Sequence, residues 1–298
     1  MKKFIVVTGG AGFVGTNLLS LFLKKTNFNF ISIDNYSTGK KSNHINNKRI
    51  KYVRGDTKNI EKILSSRKKN IDSIFHFGEF SRIFQSFKNF DQCYASNTLG
   101  SKAVFKFCLD NNIRLIYSAT SATLGNSGRD KNLSPYAFTK SKNLELLENF
   151  NLWFKFKYDV IFFYNVYGPN QIKIGDMATV IGIFENCYEK NLPLPIVKPG
   201  TQTRRFTHIL DTISVCYEAW KKKKYLNYSV SNKKSYSILE VAKMFGLKKK
   251  FLSYRKGERY ASALANLSNN KKVHKRFGKI DLKNYIENFK KTSNKKFN

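Results

Sequence analysis

The feature that most restricts this chain is a cluster of glycines between an apolar run and a helical one. Phe4 to Val7 is short, apolar and rich in β-branched residues, the pattern of a buried parallel strand. Thr8 and Gly9, Gly10, Gly12 and Gly15 follow, and from Thr16 to Lys25 the residues Leu18, Leu19, Phe22 and Leu23 recur at helical spacing. Gly10, Gly12 and Gly15 fit G-x-G-x-x-G, while Gly9, Gly12 and Gly15 fit a three-residue repeat. Either register provides a tight turn, a backbone that a pyrophosphate can approach, and close packing of helix on strand. The free N–H groups and the positive end of the helix dipole then face the phosphates.

A second strand, Phe30 to Asp34, ends in a carboxylate about twenty residues after the last glycine. A carboxylate there accepts hydrogen bonds from the adenosine ribose and repels a 2′-phosphate, so NAD is expected over NADP. Ile50 to Arg54 reads as a third strand, followed by Gly55-Asp56. Asp56 is expected to bond the adenine amino group or to cap a helix over 58–69. Asp72 to Phe77 is a fourth strand, in which His76 reads as a hydrogen-bonded core residue. A helix over 91–111 and a fifth strand, Ile113 to Ser118, complete five alternations. That alternation predicts an α/β fold with a doubly wound parallel sheet. A sixth strand is expected over Val160 to Tyr164.

The net charge of +34 would attract nucleic acid or anionic membranes. The lysines, however, are spread along the whole length, and Lys, Asn, Ile and Phe are jointly abundant, as base-composition bias on solvated faces would produce. No specific nucleic-acid partner is expected. No apolar stretch has the length of a membrane span, and the Lys2-Lys3 start is broken by glycines before a signal-peptide core can form, so a cytoplasmic protein is expected. The four cysteines and four histidines are scattered, which predicts reduced thiols and no metal site.

The chemistry is expected after the fifth strand. Tyr117-Ser-Ala-Thr-Ser-Ala-Thr-Leu-Gly125 precedes Pro135-Tyr-Ala-Phe-Thr-Lys140, which opens a helix to about residue 156. Tyr136 and Lys140 lie four apart, on one helix face a turn from each other. A free phenol has a pKa of about 10 and is only about 0.1% ionised at neutral pH. Lowering it by about three units takes roughly 4 kcal/mol, which an ammonium and a nicotinamide ring together can supply. The phenolate would serve as a general base toward an alcohol.

With these motifs in order, the sequence resembles the extended short-chain dehydrogenase/reductase family, and within it the NAD-dependent sugar epimerase/dehydratase branch, of the UDP-glucose 4-epimerase kind. The matching stretches run from Thr8–Gly15 through Asp34-Asn35, Gly55-Asp56, His76–Gly78, Asn97, Thr120–Gly125 and Tyr136–Lys140 to Asn165-Val-Tyr-Gly-Pro169. Gly200-Thr-Gln-Thr-Arg204, His208–Asp211 and Arg255-Lys-Gly-Glu258 follow. The resemblance implies a Rossmann domain over 1–168 with a returning segment near 206–231. A smaller substrate-binding domain would comprise 169–205 and 232–298. It implies Tyr136 as base, Lys140 as its partner and Thr120 as the hydroxyl that shares the substrate oxygen, with Ser121 beside it. NAD would be held by Gly9, Gly12, Phe13, Val14, Asp34, Asn35, Asp56, Thr57, Phe77, Gly78 and Asn97 together with Tyr136 and Lys140. Asn165, Arg204 and Arg255 would bind a nucleotide-sugar substrate, the arginines on its diphosphate, and Asp211 would hold structure. A homodimer through the helices 91–111 and 136–156 is implied.

The chain also departs from that family. Dehydratases carry Asp-Glu after the Thr, where this chain has Ser121 and Ala122, so dehydration is disfavoured. Phe162 and Arg205 stand where an arginine and an aspartate are common, and Glu79 stands where small apolar residues are usual beside the nicotinamide. The expected activity is epimerisation of a nucleotide sugar, most simply at C4 through a keto sugar. The alternatives are a net dehydrogenase, reductase or dehydratase, a non-catalytic dinucleotide sensor, or a basic nucleic-acid-binding protein.

Overall fold

A computed structural model describes residues 3–257, 259 and 277–294. Glu258 of the Arg255–Glu258 motif and residues 260–276 of the C-terminal region lie outside the described residues. The first half alternates strand and helix: β1 (Phe4–Thr8), α1 (Phe13–Lys25), β2 (Asn29–Asp34), β3 (Ile50–Arg54), α2 (Ile60–Leu64) and β4 (Ile71–His76). Next come α3 (Gln85–Lys88), α4 (Phe90–Tyr94), a π-turn over Ala95–Gly100, α5 (Ser101–Asp110), β5 (Arg114–Thr120), α6 (Pro135–Phe154) and β6 (Tyr158–Phe163). The second half holds β7 (Val166–Tyr167), α7 (Val180–Glu189), β8 (Leu194–Val197), β9 (Thr203–Arg205), β10 (Thr207–His208), α8 (Ile209–Lys222) and β11 (Asn227–Ser229). β12 (Ser235–Ser237), α9 (Ile238–Phe245), β13 (Lys249–Leu252) and α10 (Leu282–Asn294) complete it.

Seven strands form one parallel sheet in the order β11-β6-β5-β4-β1-β2-β3. The expected doubly wound sheet is therefore present, with the strand order reversing between β1 and β4. All residues of β5 are buried, as a strand covered by helices on both faces requires. One face packs on α2, α5 and α6 through residues such as Ile74, Val104, Phe105 and Leu147. The other packs on α1 and α8 through Leu19, Phe22, Ile213 and Cys216. A third cluster, with Tyr167, Phe184, Ile196, Phe245 and Ile286, joins α7, α9, α10 and β8 beyond the sheet. The expected helix over 91–111 is interrupted by the π-turn, and the one over 58–69 shrinks to α2 flanked by 3-10 turns. Neither irregularity has a signature in apolar spacing.

Candidate active site

The carboxyl ends of β1, β4 and β5 open into a cleft of about 470 Å³, on the side of the sheet where open α/β folds place their ligands. Gly9, at φ +69°, makes the turn out of β1, and a Cβ there would lie 2.8 Å from the backbone of Phe77 after β4. A Cβ on Gly15 would lie 2.3 Å from the Gly9 carbonyl, so α1 can approach the turn only as glycine. Helix α1 begins at Gly12 with no side-chain cap and no acid in its first turn. Its first N–H groups and its dipole thus meet no anion from the protein and suit a pyrophosphate. Asp34 is buried at the end of β2 and accepts from Ala11 N at 3.0 Å and Tyr36 N at 2.8 Å. Burial raises its pKa, against those two bonds. Phe13, Val14, Asn35, Thr57, Phe77 and Gly78 line the same end of the cleft.

Two further residues expected here do not line the cleft, and Asp56 takes the capping role that was one of its two expected ones. Asp56 is not part of the cleft wall. It caps the following 3-10 turn, accepting from Lys58 N at 3.0 Å, with Asn35 Nδ2 at 3.3 Å. Asn97 is fully buried. Its side chain pins the loop after β4, accepting from Phe80 N at 2.7 Å and donating to Phe80 O and Thr139 Oγ1 at 3.1 Å. Its bonds are to the protein's own groups. His76 is a core residue as expected, bonded to Thr8 Oγ1 at 2.7 Å and Ser101 Oγ at 3.0 Å, and burial lowers its pKa to about 4.

At the other end, Ser134 caps α6 by accepting from Ala137 N at 3.1 Å, and Pro135 occupies the first helical position. This start puts Tyr136 in the first turn and Lys140 in the next, both facing the cleft beneath β5. The Tyr136 phenol bonds the side chain of Thr120, the last residue of β5, and Ser121 lies alongside. Burial is the main influence on that phenol and pushes its pKa up to about 12; Thr120 and the Arg82 charge pull down, while Glu79 and Cys93 push up. The expected lowering by Lys140 is not among these influences. Lys140 is engaged in a buried ion pair with Glu79, donates to Ser118 O, and lies 4.4 Å from the centre of the Tyr117 ring. Sequence spacing placed the ammonium but gave no sign of its counter-charge.

Glu79 is the centre of a built nest. Besides Lys140 it accepts from Ser101 Oγ at 2.8 Å, Asn143 Nδ2 at 3.0 Å and Tyr117 OH at 3.1 Å. These partners come from three elements, α5, β5 and α6, so only the fold assembles them. Arg82 also lines the cleft near Tyr136, and its guanidinium donates to Met177 O at 2.9 and 2.6 Å and to Ser81 O at 2.8 Å. Asn165, whose amide donates to Arg205 O at 2.9 Å, also lines the cleft, together with Arg204 and Arg255. Arg204 is buried and donates to Arg259 O at 3.0 Å, and Arg255 lies 5.1 Å over the Phe84 ring. Gln202, inside the Gly200–Arg204 stretch but without an expected role, lines the cleft with a buried Oε1 that has no hydrogen-bond partner among the described residues. Asp211 stays structural, accepting from Ile280 N at 3.2 Å. Among the described residues no group of His, Cys, Asp and Glu is arranged to hold a metal ion, and no helix is long and apolar enough to cross a membrane.

The arrangement joins a dinucleotide cradle to a tyrosine, a threonine and a lysine, which is the equipment for exchanging a proton with an alcohol beside a nicotinamide. A 28% identical relative, the ADP-L-glycero-D-manno-heptose-6-epimerase of Brachyspira hyodysenteriae, aligns over 80% of this chain and 79% of its own. The solved UDP-glucuronic acid 4-epimerase of Bacillus cereus, in complex with UDP-glucuronic acid and NAD, superposes with a TM-score of 0.86 at 25% identity. It covers 98% of this chain and 99% of that one. The UDP-N-acetylglucosamine 4-epimerase of Methanobrevibacter ruminantium, in complex with UDP-N-acetylmuramic acid, gives 0.82 at 25%, covering 99% and 98%. The model of the NAD dependent epimerase/dehydratase family matches residues 5–231, well over half of the chain, and the chain belongs to that family, with NAD as its cofactor.

Proposed function

We propose that the protein epimerises a nucleotide-linked sugar at C4 through a transient keto sugar. The observation that carries this reading is the convergence of Tyr136, Thr120 and Lys140 at the end of β5, inside the cleft whose other end is the glycine turn and Asp34. Bound in the cradle, NAD would supply reversible hydride exchange with the reacting carbon. Tyr136 holds and moves the proton of the reacting hydroxyl, and Thr120 fixes the same oxygen. Lys140, one turn on, supplies positive charge. Arg204 and Arg255 suit a diphosphate, which guanidinium groups grip through paired N–H donors. Asn165 adds an amide to the same cleft.

Dehydration needs an acid to expel a hydroxyl. Ser121 and Ala122 offer none, and Glu79 is already committed to Lys140, so the geometry favours epimerisation. The exposed rings of Phe90, Tyr94 and Phe138 on the outer helices support a homodimer through α4–α6. Four buried free thiols suit the cytoplasm. NMR of the purified protein with a panel of UDP-, GDP- and ADP-sugars tests the function. A new C4 stereoisomer without net NADH is expected; net NADH formation or loss of water from the sugar would replace the reading by a dehydrogenase or dehydratase.

A further inference from the structure

The charges around Tyr136 do not balance. Glu79 is neutralised by Lys140, and Arg259 lies 3.8 Å from Asp130. Arg82 is different. It reaches into the wall around Tyr136, where Met177 packs on the Phe80, Ala122 and Tyr136 cluster, and no carboxylate lies within ion-pair distance of it among the described residues. Asp176, its nearest acid along the segment that carries Met177, is exposed and makes no ion pair with it. Its partners are carbonyls, Met177 O and Ser81 O, with the Ser81 hydroxyl at 3.5 Å. Carbonyls satisfy donors without cancelling charge. Arg82 itself is half-buried at the cleft wall, so its charge is open to an anion that enters the cleft.

We propose that Arg82 is a specificity-determining residue that receives a carboxylate on the sugar ring of the substrate, so that the substrate is a nucleotide-linked uronic acid. This rests on the reading of the site as a nucleotide-sugar epimerase. Nη2 keeps one donor, and the second donor of Nη1 makes only the long 3.5 Å contact to the Ser81 hydroxyl, so the two can meet the two oxygens of a carboxylate. Arg204 and Arg255 line the same cleft and are the groups assigned to the diphosphate, which leaves Arg82 for the sugar. Its position beside the catalytic phenol puts its charge near the sugar, and that charge also acts on Tyr136.

Matched pairs test this: UDP-glucose against UDP-glucuronic acid, and GDP-mannose against GDP-mannuronic acid. Binding is read by calorimetry and turnover by NMR, for the wild type, Arg82→Lys and Arg82→Met. The wild type should favour the acid of at least one pair by about 10- to 100-fold in kcat/KM, the size expected for charge-assisted hydrogen bonds. Arg82→Met should abolish that preference chiefly through KM, and Arg82→Lys should keep part of it. Equal handling of both members of each pair, or an equal loss on both in Arg82→Met, would overturn the proposal and reduce Arg82 to a clasp on Met177. Selective binding of the acid, lost in Arg82→Met, supports it even where no epimer forms, and the absence of epimers then counts against the epimerase reading alone. Failure of either member of every pair to bind overturns both.

Discussion

Strand β5 has a buried ion pair near each end, and the two are built differently. At its amino end, Arg114 pairs with the fully buried Asp159 of β6. The remaining donors and acceptors there close on backbone: Arg114 to Trp220 O and Ala219 O at 2.6 Å, and Leu226 N to Asp159 at 2.9 Å. At its carboxyl end, Lys140 and Glu79 are ringed mainly by side chains: the Ser101 and Tyr117 hydroxyls and the Asn143 amide. Backbone partners are fixed by the fold, so the first pair can only clamp. Side-chain partners can turn, and Lys140 has a third N–H beyond Glu79 and Ser118 O to offer to a ligand. The same ionic chemistry holds the sheet together at one end and stays adjustable at the other.

The comparison predicts that variants at the carboxyl end alter chemistry, and those at the amino end alter stability. Tyr136→Phe should lower kcat by about 10²- to 10⁴-fold, the usual contribution of a general base, with NAD still bound. Steady-state kinetics and cofactor titration check it; unchanged turnover would remove Tyr136 from the mechanism. Asp159→Ala leaves Arg114 buried without its anion and should cost about 3–5 kcal/mol in urea unfolding, while the folded fraction keeps its KM. Loss of activity without loss of stability would erase the distinction between the two ends.

Smaller effects sharpen it. His76 belongs to the carboxyl-end nest through Ser101. Its pKa of about 4 when folded lies below the ordinary 6.5, so the unfolded chain binds the extra proton first. Stability should fall as pH drops from about 6.5 to 4, by about 3 kcal/mol from this group. The slope should flatten in His76→Asn, and parallel slopes would refute the assignment. Glu79→Gln removes a negative charge that holds the Tyr136 phenol up, so the acidic limb of the kcat profile should move to lower pH. The plateau should also fall about tenfold as Lys140 loses its anchor; superimposable profiles would show the nest to be inert. Asp34→Ala should reduce the preference for NAD over NADP by about tenfold, measured as the ratio of dissociation constants, and an unaltered ratio would dissociate Asp34 from the ribose.

What was legible in the sequence is what short spacing encodes. The glycine turn, Asp34 and the Tyr136–Lys140 pair are each set by one strand end or one helix turn, and the structure places them around one cleft. Glu79, Asn143, Arg82 and Gln202 were not assigned roles, because each gains its role from a partner more than 60 residues away or from a cavity wall. Asn97 anchors a loop, a role that its motif does not announce, and Asp56 makes the cap that was one of its two expected roles. The Tyr136–Lys140 spacing likewise records a cation without its counter-ion, so the Lys140–Glu79 pair has no sign in the motif.

The π-turn before α5 has a consequence for all of this. Its wider winding accompanies an Asn97 carbonyl that is open to a side bond, and the Asn143 amide takes it at 2.6 Å while also reaching Glu79 and Tyr117. Trimming one residue from that segment would restore ordinary winding and return the Asn97 carbonyl to the helix ladder. The Asn143 amide would lose that hold, and its grip on Glu79 and Tyr117 would loosen. The winding of one helix thus tunes a proton-handling centre on the neighbouring strand ends, and a single-codon deletion far from the glycine turn would detune it.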